Sequence, residues 1–270
     1  MAATRQSPSI CGRTPAKMAH REWRVAVTRD EDHHGPLSAA VRHEGFEPVW
    51  CVVMEQLPSE QPAALESAAA SLDTFDWVVC SSVRAVAALA GARTTAWPRS
   101  LRTAAVGAMT ADALVAAGVD PKPLVAESEG ADALWAVLSP IEWTNRRVLV
   151  PTVAGGRRVL IERLRAAGAL VTEVEAYRMA PRPAAGILSE WFAASPDAAI
   201  IASPSTAAAL IGVIGHDALA ALRAIVAIGP TTAAALTAAD VPCHLAARAD
   251  FREAARTLAA VRDLASPPAW

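Results

Sequence analysis

The feature that most constrains this chain is that it says the same thing twice. Arg24-Val25-Ala26-Val27-Thr28 is answered by Arg147-Val148-Leu149-Val150-Pro151, a shift of 123 residues from Arg24 to Arg147. Gly45 closes a helical pattern where Gly168 closes another, again 123 residues later. Asp76 through Ser82-Val83-Arg84 is repeated as Asp197 through Ser203-Pro204-Ser205 at a shift of 121, and Gly229 follows Gly107 at 122. Similarity among Ala-rich helices would not keep strand-end glycines and hydroxyls in step. The pattern therefore predicts two similar α/β units, each with about five parallel strands alternating with helices in the flavodoxin-like manner.

The clearest phrase within the repeat is Ile225-Val226-Ala227-Ile228-Gly229-Pro230-Thr231-Thr232-Ala233. It reads as a buried strand, a tight turn at Gly229, and a helix opened by Pro230 and capped by Thr231 or Thr232. Ala105-Val106-Gly107-Ala108-Met109-Thr110 repeats it. Four junctions of this type are expected: Ser81-Ser82, Gly107 to Thr110, Ser203 with Ser205 and Thr206, and Gly229 with Thr231 and Thr232. Each lies where a strand hands over to a helix start, the edge at which open parallel sheets take ligands. Backbone N–H groups and the positive helix end favour anions there. Two such edges facing across a hinge would suit a ligand with several carboxylates or phosphates.

Other chemistries lack their signatures. There is no GxxxxGK[ST] loop, GxGxxG fingerprint, nucleophile elbow or metal-ligand cluster, so neither a metal nor an organic cofactor is expected. The formal net charge of −2 argues against nucleic acid as a partner. Cys11, Cys51, Cys80 and Cys243 are scattered and read as free thiols of a reducing compartment. No stretch reads as a membrane span, since the apolar run from Ala198 to Gly215 is broken at Ser203-Pro204-Ser205-Thr206. Residues 1–22 are polar and basic, with no secretory apolar core, and read as a disordered tail. Val49–Met54 reads as a strand, the Pro-containing run from Glu55 to Gln61 as a linker, and 263–270 as a second tail.

These motifs resemble the uroporphyrinogen-III synthase family over roughly Arg24 to Leu258. The residues carrying the resemblance are Val27-Thr28-Arg29, Ser81 to Val86, Ala105-Val106-Gly107 with Thr110, Val174-Glu175-Ala176-Tyr177-Arg178, Ser203-Pro204-Ser205, and Ile228 to Ala233. Val83 departs from it, standing where Pro is common, and so does the acidic, His-bearing loop from Asp30 to Pro36. The resemblance implies an α/β fold of two flavodoxin-like parallel-sheet domains joined by a two-stranded connector, one domain being discontinuous. Residues 23–48 and 180–262 would form that domain, 57–170 the other, and 49–56 and 170–179 the connector.

The activity so implied is cyclisation of hydroxymethylbilane to uroporphyrinogen III, with inversion of the last pyrrole and loss of water, by a cytoplasmic, cofactor-free monomer. A transient contact with the preceding pathway enzyme goes with it. Tyr177, the single Tyr of the chain, would donate to the departing hydroxyl. Arg29 and the four junctions would bind the substrate. A non-catalytic two-domain sensor or binding protein for an anionic small molecule is the alternative.

Overall fold

The computed structural model describes residues 22–127 and 130–265. In chain order, β1 (Arg24–Val27), α1 (Pro36–His43) and β2 (Glu47–Trp50) come first. Next come β3 (Met54–Pro58), α2 (Pro62–Ala70), a 3-10 turn (Leu72–Thr74), β4 (Trp77–Cys80), α3 (Val83–Ala92), β5 (Arg102–Ala105) and α4 (Ala108–Ala116). Then follow β6 (Leu124–Val125), α5 (Ala131–Leu138), β7 (Arg147–Val153), α6 (Val159–Ala166) and β8 (Leu170–Pro181). The chain ends with α7 (Ala184–Ala194), β9 (Ala198–Ile201), α8 (Pro204–Ile214), α9 (His216–Ala220), β10 (Ala224–Ala227), α10 (Pro230–Thr237), β11 (His244–Leu245) and α11 (Phe251–Ala265).

The described residues pack as two compact units: those within 1–51 together with 185–270, called unit 1, and those within 52–184, called unit 2. Unit 1 holds a five-stranded sheet of order β11-β10-β9-β1-β2, parallel throughout. Numbered along the chain this is the 2-1-3-4-5 order of flavodoxin-like sheets. Unit 2 holds the order β6-β5-β4-β7-β8, with β3 added antiparallel on β8. The shared five strands correspond one for one: β1 to β7, β2 to β8, β9 to β4, β10 to β5, β11 to β6. Their first residues are separated by 120 to 123 positions, from His244 and Leu124 up to Arg24 and Arg147. Unit 2 is thus the same sheet with its first β–α–β segment moved to the end.

Local chemistry explains the strands. The four residues of β4, β9 and β10 are all buried, as central parallel strands covered on both faces require. Along β4 the side chains alternate between two cores. Val78 and Cys80 join Leu89, Leu114 and Tyr177 on one face, while Trp77 and Val79 join Leu138, Trp143 and Leu164 on the other. In unit 1, Val25, Val27 and Val226 pack beneath Leu37, Val41 and Leu258. Gly45 (φ 76°) and Gly168 (φ 93°) both adopt the left-handed conformation just past their helices. Phe46 N–H then reaches Val41 O and Ala169 N–H reaches Leu164 O, closing both helices as the sequence requires of glycine there.

The repeat extends to the opposite sheet edge. Asp76 Oδ2 accepts from Arg147 N–H at 2.8 Å, and Asp197 Oδ2 accepts from Arg24 N–H at 2.9 Å. Each Asp thus ties the first strand of its repeat to the strand beside it.

Some expectations change. Val49–Met54 is not one strand: β2 ends at Trp50 in the sheet of unit 1, and Met54 opens β3 in the sheet of unit 2. The supposed linker from Glu55 is therefore largely β3. Its Pro58 closes the strand, and Met54–Pro58 pairs with Tyr177–Pro181 at a sheet edge, where a missing N–H costs little. The supposed tail at 263–270 is helical through Ala265, where α11 ends. The helix expected from Glu129 starts at Ala131. Glu129, the N-terminal tail up to residue 21, with Cys11, and residues 266–270 lie outside the described residues.

Candidate functional site

In each sheet, parallel strands deliver helix starts to the carboxyl edge. The structure places four of them there in corresponding pairs, α3 with α8 and α4 with α10, and they are of two kinds.

The serine starts are already satisfied. Ser82 is extended (φ −156°), and its Oγ accepts from Ala85 N–H at 3.1 Å. Ser203 is likewise extended (φ −149°), and its Oγ accepts from Thr206 N–H at 3.2 Å. Ser203 Oγ also lies 3.0 Å from Ser205 Oγ and 2.9 Å from Thr206 Oγ1. These side chains take the donors that a ligand would need.

The glycine starts are open. Gly107 before α4 and Gly229 before α10 have no side chain to cap the helix, and no side-chain cap bond forms at either. The expected caps from Thr231 or Thr232 do not occur. Thr232 is 2% exposed with its N–H turned back to Gly229 O at 3.1 Å, while Thr231 is exposed. The tight turn expected at Gly229 is also corrected. Its φ of −142° is extended backbone open to any residue, and a Cβ built there meets nothing within 4 Å. What glycine leaves at this position is room beside the N–H groups.

Three threonines expected to meet the substrate are buried instead: Thr110 at 6%, Thr206 at 7% and Thr232 at 2% exposure. All three sit at the third position of their helix, facing inward. Ser81, Ser205 and Thr231 are the exposed hydroxyls of the set.

Tyr177 stands in β8 at 6% exposure, within the core that includes Leu89 and Leu114. A register shift between Thr152 and Val153 sets Val153, in place of Ala154, opposite it. Its hydroxyl is 3.2 Å from Ser82 Oγ. Two residues 95 positions apart, both expected at the site, are therefore brought into direct contact. Cys80 adjoins the same turn, but burial pushes its thiol up to about 12, so it supplies no thiolate.

Arg29 is engaged locally. Its Nε is 3.2 Å from Glu31 Oε2, and its guanidinium lies 4.6 Å above the Phe251 ring. Glu31 is the residue that sequence reasoning missed. Its Oε1 accepts from Ser38 N–H at 2.6 Å and from Ser38 Oγ–H at 2.8 Å, so a carboxylate already occupies the start of α1. The carboxyl carbon lies 2.5 Å from where a Cβ would stand on Gly35, so only glycine fits against it. The acidic loop and the Gly-Pro before α1 were the available signal. Among the described residues, no group of three or more His, Cys, Asp or Glu is placed to hold a metal, and no helix is long and apolar enough to cross a membrane.

Fold and site together define a class: a duplicated, doubly wound α/β protein with uncapped backbone donors at the sheet edges where such proteins take ligands. The chain belongs to the HEM4 family, described as uroporphyrinogen-III synthase HemD, whose model matches residues 35–254. It is 28% identical over 158 residues to a uroporphyrinogen-III synthase of Synechococcus elongatus, a match spanning 57% of this chain and 59% of that protein. Less than two thirds of that relative is therefore covered. The fold is similar to a uroporphyrinogen III synthase mutant of the extreme thermophile Thermus thermophilus, with TM-score 0.54 at 18% identity over 90% of this chain and 99% of that one. It is also similar to a uroporphyrinogen-III synthetase of Helicobacter pylori, with TM-score 0.56 at 16% identity over 88% and 98%.

Proposed function

We propose that this protein is a uroporphyrinogen-III synthase: it converts hydroxymethylbilane to uroporphyrinogen III, losing water as the ring closes with its last pyrrole inverted. The observation that carries this reading is the family match across residues 35–254, which takes in all four helix starts and Tyr177. Loss of the terminal hydroxyl leaves an electrophilic azafulvene, and attack through the substituted carbon of the last ring gives a spiro intermediate. The protein's task is to hold a flexible polycarboxylate so that this attack outruns simple closure, which is work of orientation.

The open starts of α4 and α10 supply backbone N–H groups for carboxylates. Exposed Met109 in α4 and Val83 in α3 offer apolar surface to pyrrole rings beside them. Tyr177 donates to the departing hydroxyl. The chain enters unit 2 through β3 and leaves it through the end of β8, and these two segments pair with each other. The protein acts in the cytoplasm as a monomer, meeting the enzyme that makes its substrate only transiently.

Isomer analysis of the product tests the activity: mostly type III ring is expected, and unchanged type I product would overturn it. Tyr177→Phe tests the role of the phenol. Losing one hydrogen bond that strengthens in the transition state costs about 1–3 kcal/mol, so turnover should fall roughly 5- to 150-fold with folding nearly kept. Wild-type turnover in that variant would return Tyr177 to a packing role.

A further inference from the structure

Either hydroxyl can be the donor in the contact between Ser82 and Tyr177, and the neighbouring backbone constrains one of them. Ser82 Oγ lies 3.1 Å from Ala85 N and 3.2 Å from Tyr177 Oη. A backbone N–H can only donate, so Ser82 Oγ is an acceptor toward Ala85. A serine hydroxyl has one proton and two lone pairs. Either direction leaves one proton over: the serine's if Tyr177 donates, the phenol's if Ser82 donates. Among the described residues Ser82 Oγ has no partner besides Ala85 N and Tyr177 Oη. Only donation from Ser82 leaves the phenol proton free for a ligand, and it then runs in line from amide to serine to phenol, an arrangement in which each bond polarises the next.

We infer that Ser82 is a positioning residue that donates its hydroxyl proton to Tyr177, so that the phenol accepts from Ser82 and keeps its own proton to give to the substrate. This rests on the role proposed above for Tyr177. It changes the reading of Ser82 from a substrate contact to a group acting through another. It also separates the two serine starts: Ser203 makes the same cap in unit 1, but its second and third partners are Ser205 and Thr206. Only the unit 2 serine serves a phenol.

Because Tyr177 is the only tyrosine in the chain, its Raman Fermi doublet reports this one hydroxyl. In the free full-length protein the doublet should show a phenol that accepts a hydrogen bond. A donor-only signature overturns the inference, whatever the activity. Three substitutions then separate capping from donation. Ser82→Thr keeps both cap and proton, and should stay within about threefold of wild-type turnover. Ser82→Ala loses both, and kcat should fall about tenfold with KM little changed.

Ser82→Asp keeps a capping oxygen, so its melting temperature should match wild type. An ionised carboxylate has no proton to give, so its kcat should fall at least as far as that of Ser82→Ala. Wild-type kcat in Ser82→Asp would overturn the inference. In a Tyr177→Phe background the same substitutions should cost less than about twofold, since residues that act as a unit are not additive. Undiminished losses there would show that Ser82 acts on the substrate by another route. If Tyr177→Phe alone keeps full turnover, the role of the phenol fails, while the Raman signature still decides the direction of the bond.

Discussion

The two units share a sheet, yet they begin their helices differently. In unit 1, the helices after β1, β9 and β10 start with Pro36, Pro204 and Pro230. Their counterparts in unit 2 start with Val159, Val83 and Ala108. Proline fixes the first helical φ but removes an N–H. Each unit 1 start therefore has one fewer donor, and α1 is already closed by Glu31. The unit 2 starts keep the N–H at their first position and expose apolar side chains, with Met109 69%, Val159 43% and Val83 41% exposed. The difference teaches that one duplicated scaffold can give up backbone donors at its helix starts in one copy and keep them in the other. Unit 2, which also holds Tyr177, carries the larger share of substrate recognition in this reading.

The sharpest way to break that comparison is to give the open starts their own carboxylate. Gly107 and Gly229 are both extended, so aspartate fits either backbone and would cap the helix from within. Gly107→Asp should lower turnover about 100-fold or more, from loss of a charge-assisted bond with added repulsion, while the melting temperature holds or rises slightly. Gly229→Asp should cost less, about tenfold, because Pro230 has already withdrawn one donor. Equal losses in steady-state kinetics would erase the asymmetry, and unchanged turnover in both would remove the glycine starts from the site.

A second test asks whether the start of α1 is truly closed. Glu31→Gln should destabilise the protein by about 1–3 kcal/mol in denaturant titration, since the charge-assisted bonds to Ser38 are lost and the neighbouring groups stay buried. Turnover of the folded protein should be nearly unchanged. A fall as deep as that of Gly107→Asp would mean that the substrate reaches this helix too.

The smallest effect lies at the far edge of unit 2. The backbone N–H of Arg147, with help from Arg146, holds the Asp76 carboxyl below its ordinary range. A carboxyl lowered on folding adds stability above its unfolded pKa of 3.8, and that stability is lost as pH falls through the folded value. Asp76→Asn should cost under about 1 kcal/mol at neutral pH, given how exposed and screened the pair is, and nothing in strong acid. A gap between wild type and variant that stays constant from pH 7 to pH 2 would refute the linkage.

Much of this was legible in the residues. Strand runs such as Ala198–Ile201 and closures such as Gly45 and Gly168 are dictated by near neighbours, so their order and the duplication could be read directly. The Ser82 and Ser203 caps follow from the same local rule. The site was harder, because a hydroxyl's usefulness depends on which way it faces. Thr110, Thr206 and Thr232 follow their starts at helical spacing, and only packing shows that they are buried.

The sequence by itself determined the repeated α/β architecture and the family, because both rest on periodicity and on short turns whose physics is local. The tertiary structure alone decided that β3 is a strand and not a linker, since its partner Tyr177–Pro181 lies more than a hundred residues away. It alone decided that the Glu31 carboxylate reaches forward seven residues to cap α1, and that Ser82 and Tyr177, 95 residues apart, meet in one hydrogen bond. Such contacts carry no periodic signature. They exist because the folded chain brings distant side chains together, and a buried polar group needs a partner.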